Sequence, residues 1–324
     1  MMKVNSSVRT LPGNLTFKLL ANYYQELFPV TFLLAPEQTN CLPGKASEQL
    51  PAKILLFYII FYTVLCAFSG GLWVLFDSIA IRGDKPRFML KESLIGSNPG
   101  LGYRPMPSED FIDSSLIWFK TTDDSYLNWT MQIKQFLDPY NNQSQKDDKD
   151  ILNCSFNDPP GTGKVCRVPL KTMSPCNENF FMYDKGSPCI FLKLNKIFNW
   201  IPEVYNETRS LPSTMPKTLK EKIEKIETDN RKALNSVWVS CEGENAADKE
   251  HIGAVHYLPH PGFPIYYFPF TNANGYLSPL VAVWFENPVR GVLINVECKA
   301  WAKNIIYDRH DRRGSVHFEI MVDN

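Results

Sequence analysis

Three stretches hold residue types that could make or break bonds. Residues 159–164 read Pro-Pro-Gly-Thr-Gly-Lys, close to the loop that cradles phosphates in nucleotide hydrolases. That loop needs glycine at its first position and Ser or Thr after the lysine to hold Mg²⁺. Asp158 and Val165 stand in those places and Cys166 follows at once, so the stretch reads as a turn between two cysteines. Asp148-Lys149-Asp150 is the one Asp-x-Asp of the kind sugar-nucleotide transferases use, but it sits in a charged loop with no flanking apolar strand. His256 and His260 are four apart, yet Pro259 denies them a shared helical face, so no zinc pair is expected. No Gly-x-Ser-x-Gly occurs either. No catalytic, cofactor-binding or metal-binding residue is expected, and no cofactor.

The chemistry the sequence does support is oxidation and glycosylation. Six of the eight cysteines (Cys154, Cys166, Cys176, Cys189, Cys241 and Cys298) lie in the last 171 positions, an even set suited to three disulfides in an oxidising compartment. Beyond residue 76 the chain also carries four Asn-x-Ser/Thr acceptors, at Asn128, Asn142, Asn153 and Asn206. The chain has 34 basic and 34 acidic residues. No basic field marks it for nucleic acid.

Such chemistry must be delivered across a membrane, and one stretch can do that. Ile54 to Phe76 is 23 residues without a charge. As a helix it would be about 34 Å long, enough to cross a hydrocarbon core of about 30 Å. It divides the chain into a tail, 1–53, and a large domain, 77–324. Arg82, Lys85, Arg87 and Lys91 flank the far side against Lys45 and Lys53 on the near side, which by the positive-inside rule puts the large domain in the cytosol. Long domains translocate largely regardless of flanking charge. The cysteines and acceptors therefore decide, and the expectation is a type II protein with an uncleaved signal-anchor, its N-terminus inside and its C-terminus outside.

The elements follow. Leu15 to Leu34 is apolar but interrupted by Lys18, Glu26 and Pro29, too broken to span and suited at most to the membrane surface. Within the span Tyr58 and Tyr62 share a helix face, and Ala67/Gly71 and Cys66/Gly70 are small-xxx-small pairs that let another helix approach. Residues 77–112 read as a linker. A helix is expected over 124–137 and a surface helix over 217–234, with Leu219, Ile223 and Ile226 on a narrow stripe. Toward the C-terminus Val292, Ile294, Val296 and Cys298, then Val316, Phe318, Ile320 and Val322, alternate with period two. Short strands, Pro/Gly turns and cystines predict an antiparallel β-sandwich with one or two helices.

Several motifs then coincide in one order: LLFYIIFY (55–62), KVCR (164–167), Tyr183-x-x-Gly186-x-Pro188-Cys189 with IFLKLNKIF (190–198), PGFPIYYFPF (261–270), YLSPLVAVWF (276–285) and ECKAWAKNIIYDRHDR (297–312). From about residue 50 onward the chain resembles the β subunit of the sodium/potassium-pumping P-type ATPase, most like insect forms. The resemblance implies a non-catalytic partner of the ion-pumping α subunit, with an immunoglobulin-like ectodomain and sequential disulfides, 154–166, 176–189 and 241–298. It places Tyr58, Tyr62 and Gly71 against α within the membrane. Tyr183, Gly186 and Pro188, and the aromatic run Tyr266, Tyr267, Phe268, Phe270, are implied to meet α outside. Membrane lipid and a small single-span regulatory subunit complete the implied partners.

Two departures stand out. The family's cytoplasmic Leu-Gly-Arg-Thr…Trp signature is replaced by CLPGKASEQLPAK (41–53), and Asn177-Glu178 replaces the usual Ser-Gly after the third ectodomain cysteine. Two other classes share the topology: a type II glycosyltransferase, which the isolated Asp-x-Asp disfavours, and a cell-surface adhesion glycoprotein that acts without an α subunit.

Overall fold

The computed structural model describes residues 49–81, 87–107, 114–145, 149–311 and 313–324. Residues 1–48, with the apolar run 15–34 and Cys41, and positions 146–148 of the charged loop lie outside the described residues. The chain divides into two compact units, Met1–Leu72 and Trp73–Asn324.

The expected span lies inside a single helix, α1 (Gln49–Phe76). It begins five residues before the charge-free stretch. Pro51 falls in its first turn, where a backbone N–H has no partner to lose. Ala52 to Ile79 is long and apolar enough to cross a bilayer, with a mean hydropathy of 2.1 and no buried residue. A π-helical turn, Asp77–Ile81, follows.

The second unit is a sandwich. One sheet has the order β1 (Leu101–Arg104), β5 (Cys189–Leu194), β9 (Leu280–Glu286), β7 (Ala254–Leu258). The other runs β2 (Leu116–Lys120), β11 (Ser315–Asp323), β10 (Ile294–Trp301), β6 (Ser236–Gly243), β8 (Gly262–Pro264). A separate parallel pair joins β3 (Ile151–Leu152) to β4 (Val165–Cys166). Phe318 of β11 meets Tyr103 of β1 at 4.9 Å and Phe285 of β9 at 6.1 Å, so one aromatic residue knits the two sheets.

Three expectations need correction. The presumed linker 77–112 contains β1, whose Leu101 to Arg104 pair with Leu194 to Phe191. The sandwich is not wholly antiparallel: β2 runs parallel to β11, with Leu116 opposite Glu319 and Lys120 opposite Asp323. A strand near the start of the domain thereby closes against its last strand. In immunoglobulin domains a cystine joins the two sheets. Cys241 and Cys298 are instead register partners on β6 and β10 of the same sheet. There are also three helices among the described residues of the domain: α2 (Tyr126–Gln145), α3 (Lys217–Asp229) and the short α4 (Ala246–His251).

The helices protect what the sheets leave open. Helix α2 runs eight residues past its expected end through Pro139, because Asp138 and Pro139 face solvent while Tyr140 is buried with its hydroxyl donating to Ser278 O at 3.0 Å. Trp129 on α2 donates from Nε1 to the Trp118 carbonyl of edge strand β2 at 2.8 Å. Helix α3 ends at Asn230, whose side chain accepts from Lys232 N and starts a tighter turn. Its Leu219 and Ile223 are buried with Met215, Leu234 and Trp238 in a small second core. From α3, Lys222 Nζ donates to Val255 O on edge strand β7 at 3.3 Å. The Tyr257 hydroxyl accepts from Cys241 N at 2.7 Å, which closes β6 toward the other sheet. Unpaired strand edges are an aggregation hazard, and each of these contacts occupies an open backbone group on β2, β6 or β7.

Candidate partner interface

Helix α1 offers a partner two different surfaces. Tyr58 and Tyr62 are half exposed and their rings stack at 6.1 Å with 23° between planes. At about 100° per residue, Tyr58, Tyr62, Leu65 and Ser69 fall within about 60° of one another. Ala67 and Gly71 lie about half a turn away, so the tyrosines and Gly71 cannot seat the same helix. A Cβ placed at Gly70 or Gly71 would touch nothing within 4 Å, and the Cys66 thiol is free and exposed.

In the domain, the stretch expected to touch a partner is mostly interior. Tyr183 is completely buried, its ring 4.8 Å from Phe119, and its hydroxyl has no partner among the described residues. Burial pushes that phenol far above its ordinary range. Pro188 is buried too. Gly186 is buried with φ +71°, and a Cβ there would sit 3.1–3.4 Å from Arg290, Thr121 and Val322. Glycine is required for both reasons. Only Asp184 and Lys185 reach the surface, with Lys185 Nζ 3.4 Å from Glu178 Oε2. Tyr183, Gly186 and Pro188 therefore shape the turn and present its tip, and they are not themselves a contact surface.

The aromatic run behaves differently. Tyr267 is buried and donates to Arg167 O at 2.9 Å, whereas Tyr266, Phe268 and Phe270 are half-buried. Each of those three leans on another ring: Tyr266 on Phe156 at 5.3 Å, Phe268 on Trp200 at 5.6 Å, and Phe270 on Tyr276 at 5.0 Å. The Lys196 ammonium lies 5.1 Å from the Phe270 centroid and 5.2 Å from that of Tyr276. Large rings already braced by neighbours lose little entropy on docking, which suits them to an interface. The supporting members come from three separate segments. Sequence reading missed them, and aromatic density was the only signal.

Other singled-out residues are dispersed. The Pro-Pro-Gly-Thr-Gly-Lys stretch is a loop between β3 and β4, closed by Cys154–Cys166, with Gly163 at φ +79° and Lys164 N donating to Gly161 O. No helix follows to receive a phosphate. His256 Nε2 is 2.8 Å from Glu286 Oε2, while His260 sits between Phe156 and Trp238 with Nε2 3.4 Å from Ser236 Oγ. Burial pulls the His260 pKa down to about 4. Among the described residues no three His, Cys, Asp or Glu are grouped to hold a metal ion. The outer face of the five-stranded sheet carries an unforeseen ionic cluster. There His317 Nδ1 lies 2.6 Å from Glu244 and Lys299 3.1 Å from Glu297, and the Tyr307 hydroxyl donates to Glu297 at 2.8 Å. Period-two polar residues look like an ordinary solvent face, so the sequence does not betray it. All four glycan acceptors, Asn128, Asn142, Asn153 and Asn206, are exposed, and Asn128 and Asn142 lie on α2. The six domain cysteines pair 154–166, 176–189 and 241–298, the sequential order that the resemblance implies.

Comparison with known proteins gives this geometry a family. The profile described as "Sodium / potassium ATPase beta chain" matches residues 29–318. The Drosophila melanogaster protein named sodium/potassium-transporting ATPase subunit beta-2 is 51% identical over 277 residues, covering 84% of this chain and 85% of its own. The subunit beta-1 of the same organism is 44% identical over 279 residues, 84% of this chain and 86% of its own. The Homo sapiens subunit beta-2 is 26% identical over 290 residues, 84% and 87% of the two chains.

Proposed function

The chain belongs to the sodium/potassium ATPase β chain family, and we propose that it assembles with the catalytic α subunit of a sodium/potassium pump. It performs no chemistry of its own. It stabilises α, accompanies it to the plasma membrane and tunes its affinity for extracellular K⁺. Residues 1–53 are cytoplasmic, 54–76 span the bilayer and 77–324 are extracellular. Three cystines and four exposed acceptors beyond the span support this orientation.

The observation that carries the reading is the stacked Tyr58–Tyr62 pair, exposed on the charge-free stretch 54–76 of the helix. A phenol hydroxyl in hydrocarbon needs a hydrogen-bond partner, and another helix supplies one. The tyrosine face is assigned to α. The Ala67/Gly71 face is left to lipid or to a small single-span regulatory subunit. Outside, the braced rings Tyr266, Phe268 and Phe270 and the Asp184–Lys185 tip are the assigned contacts. A β subunit shifts ion affinity only by the difference between its interaction energies with the two pump states.

Coexpression with an α subunit in cells lacking their own β chain tests this. The expected result is α at the cell surface and K⁺ uptake dependent on both chains. If α is degraded and no uptake appears, the pump reading fails and the adhesion alternative replaces it.

A further inference from the structure

We propose that Asn153 is a conditional glycosylation site, whose occupancy is decided by a race between glycan transfer and closure of the Cys154–Cys166 bridge. The proposal rests on the extracellular orientation argued above. Asn153, Cys154 and Ser155 form the acceptor triplet, and its middle residue is half of a cystine. The other triplets, Asn128-Trp129-Thr130, Asn142-Gln143-Ser144 and Asn206-Glu207-Thr208, contain no cysteine.

The folded triplet is tied on every side. Cys154 is bonded to Cys166, the register partner of Leu152 just before the triplet, and Leu152 O accepts from Arg167 N at 2.8 Å. Ser155 exchanges two backbone hydrogen bonds with Asp158, each 3.1 Å. Its hydroxyl accepts from Asp158 N at 3.2 Å and from Asn157 N at 3.3 Å. A transferase must seat all three residues and use that hydroxyl, so the site is open to it only before the bridge forms. Asn153 itself is exposed, and a glycan added early fits the folded surface.

Both reactions are complete as chemical steps. In transfer, the Asn153 amide nitrogen bonds to the anomeric carbon of a lipid-linked oligosaccharide. The carbon–oxygen bond to the lipid pyrophosphate breaks, and the amide loses one proton. In bridging, two thiols lose two protons and pass two electrons to a lumenal protein disulfide, which becomes a dithiol. Cys166 follows Cys154 by 12 residues, a delay of about 1–2 s at usual rates of synthesis. Loops near this length close in about 10–100 ns, so encounter of the thiols is not limiting and oxidation takes seconds or longer. The two events therefore share one time window.

The test is synthesis of the full chain in the presence of microsomes, with occupancy measured at each acceptor by mass spectrometry after enzymatic deglycosylation in heavy-oxygen water. Under oxidising conditions Asn153 should be partly occupied. Cys166→Ser, or dithiothreitol during synthesis, should raise its occupancy by about twofold or more, as removal of a competing thiol reaction predicts. Asn128, Asn142 and Asn206 should not change. Transfer acts on the nascent chain, so poor folding of the variant does not blunt the readout. Full occupancy under oxidising conditions, no occupancy in any condition, or occupancy unmoved by both treatments overturns the proposal. If all four acceptors stay bare, the extracellular orientation itself fails, and this proposal falls with it.

Discussion

Helix α1 and the sandwich bury their apolar groups in opposite ways. None of the residues from Ala52 to Ile79 is buried, although nearly all are apolar. In the sandwich Ile117, Phe119, Val237, Val296 and Phe318 are completely buried. The sandwich satisfies itself with its own cystines, edge caps and knitting ring. The helix leaves its apolar side chains for something else to cover, and among its polar groups Tyr58 and Tyr62 stack on one face while the Thr63 hydroxyl donates to its own Ile59 carbonyl. Substitutions in the sandwich should therefore be measured in stability, and substitutions on the helix in coupling to a partner.

The largest stability effect should come from Cys298→Ser. That bridge closes 57 residues, against 12 and 13 for the others. Chain entropy alone assigns it about 4 kcal/mol and the short ones about 3 kcal/mol each. Thermal unfolding of the detergent-purified chain checks the ranking. A smaller loss for Cys298→Ser than for Cys166→Ser would mean that the cross-strand register already restrains the unfolded chain.

Gly186→Val comes next, at about 3 kcal/mol from the left-handed backbone and the crowding against Val322 and Thr121. Lys185→Ala, one residue away on the exposed tip, should stay within about 0.5 kcal/mol. Equal losses at the two positions would show that the turn is held by its surface contacts instead of by its interior.

Acid should weaken the sandwich through His260. Its folded pKa is pulled to about 4 from 6.5. Its contribution is therefore complete above pH 6.5 and lost as pH falls through 4, by about 3 kcal/mol. His260→Gln should flatten stability across that window, and an unchanged slope would place the titration elsewhere.

The division between the two regions was only partly legible in the sequence. The span announced itself by unbroken apolar length, and β10 and β11 by period two. Strand β1 has four residues and α4 six, too few for periodicity to register. The helical periodicity gave out at Leu137, yet the buried Tyr140 beyond it holds the last turns in place. The parallel seam of β2 with β11 joins segments about two hundred positions apart, and no local pattern encodes it. Tyr183 was read as a contact because a motif gives identity and order, whereas its burial depends on Phe119, a residue from another strand.

The effect on the helix alone is read in coupling to the partner and leaves the sandwich's stability unchanged. Replacing both Tyr58 and Tyr62 with leucine removes polar contacts worth about 1 kcal/mol each in a membrane. Assembly should survive, and K⁺ affinity should change a few-fold. Loss of assembly would mean that the helix does more of the binding than the braced rings of the sandwich.

The most direct measurement is a photo-crosslinking scan along α1 in the assembled pump, with one reactive side chain introduced at each position from 57 to 72. Crosslinks to the catalytic subunit should peak at 58, 62, 65 and 69 and fall away at 67 and 71. Peaks at 67 and 71, or a flat profile, would contradict the assignment of the tyrosine face to the pump.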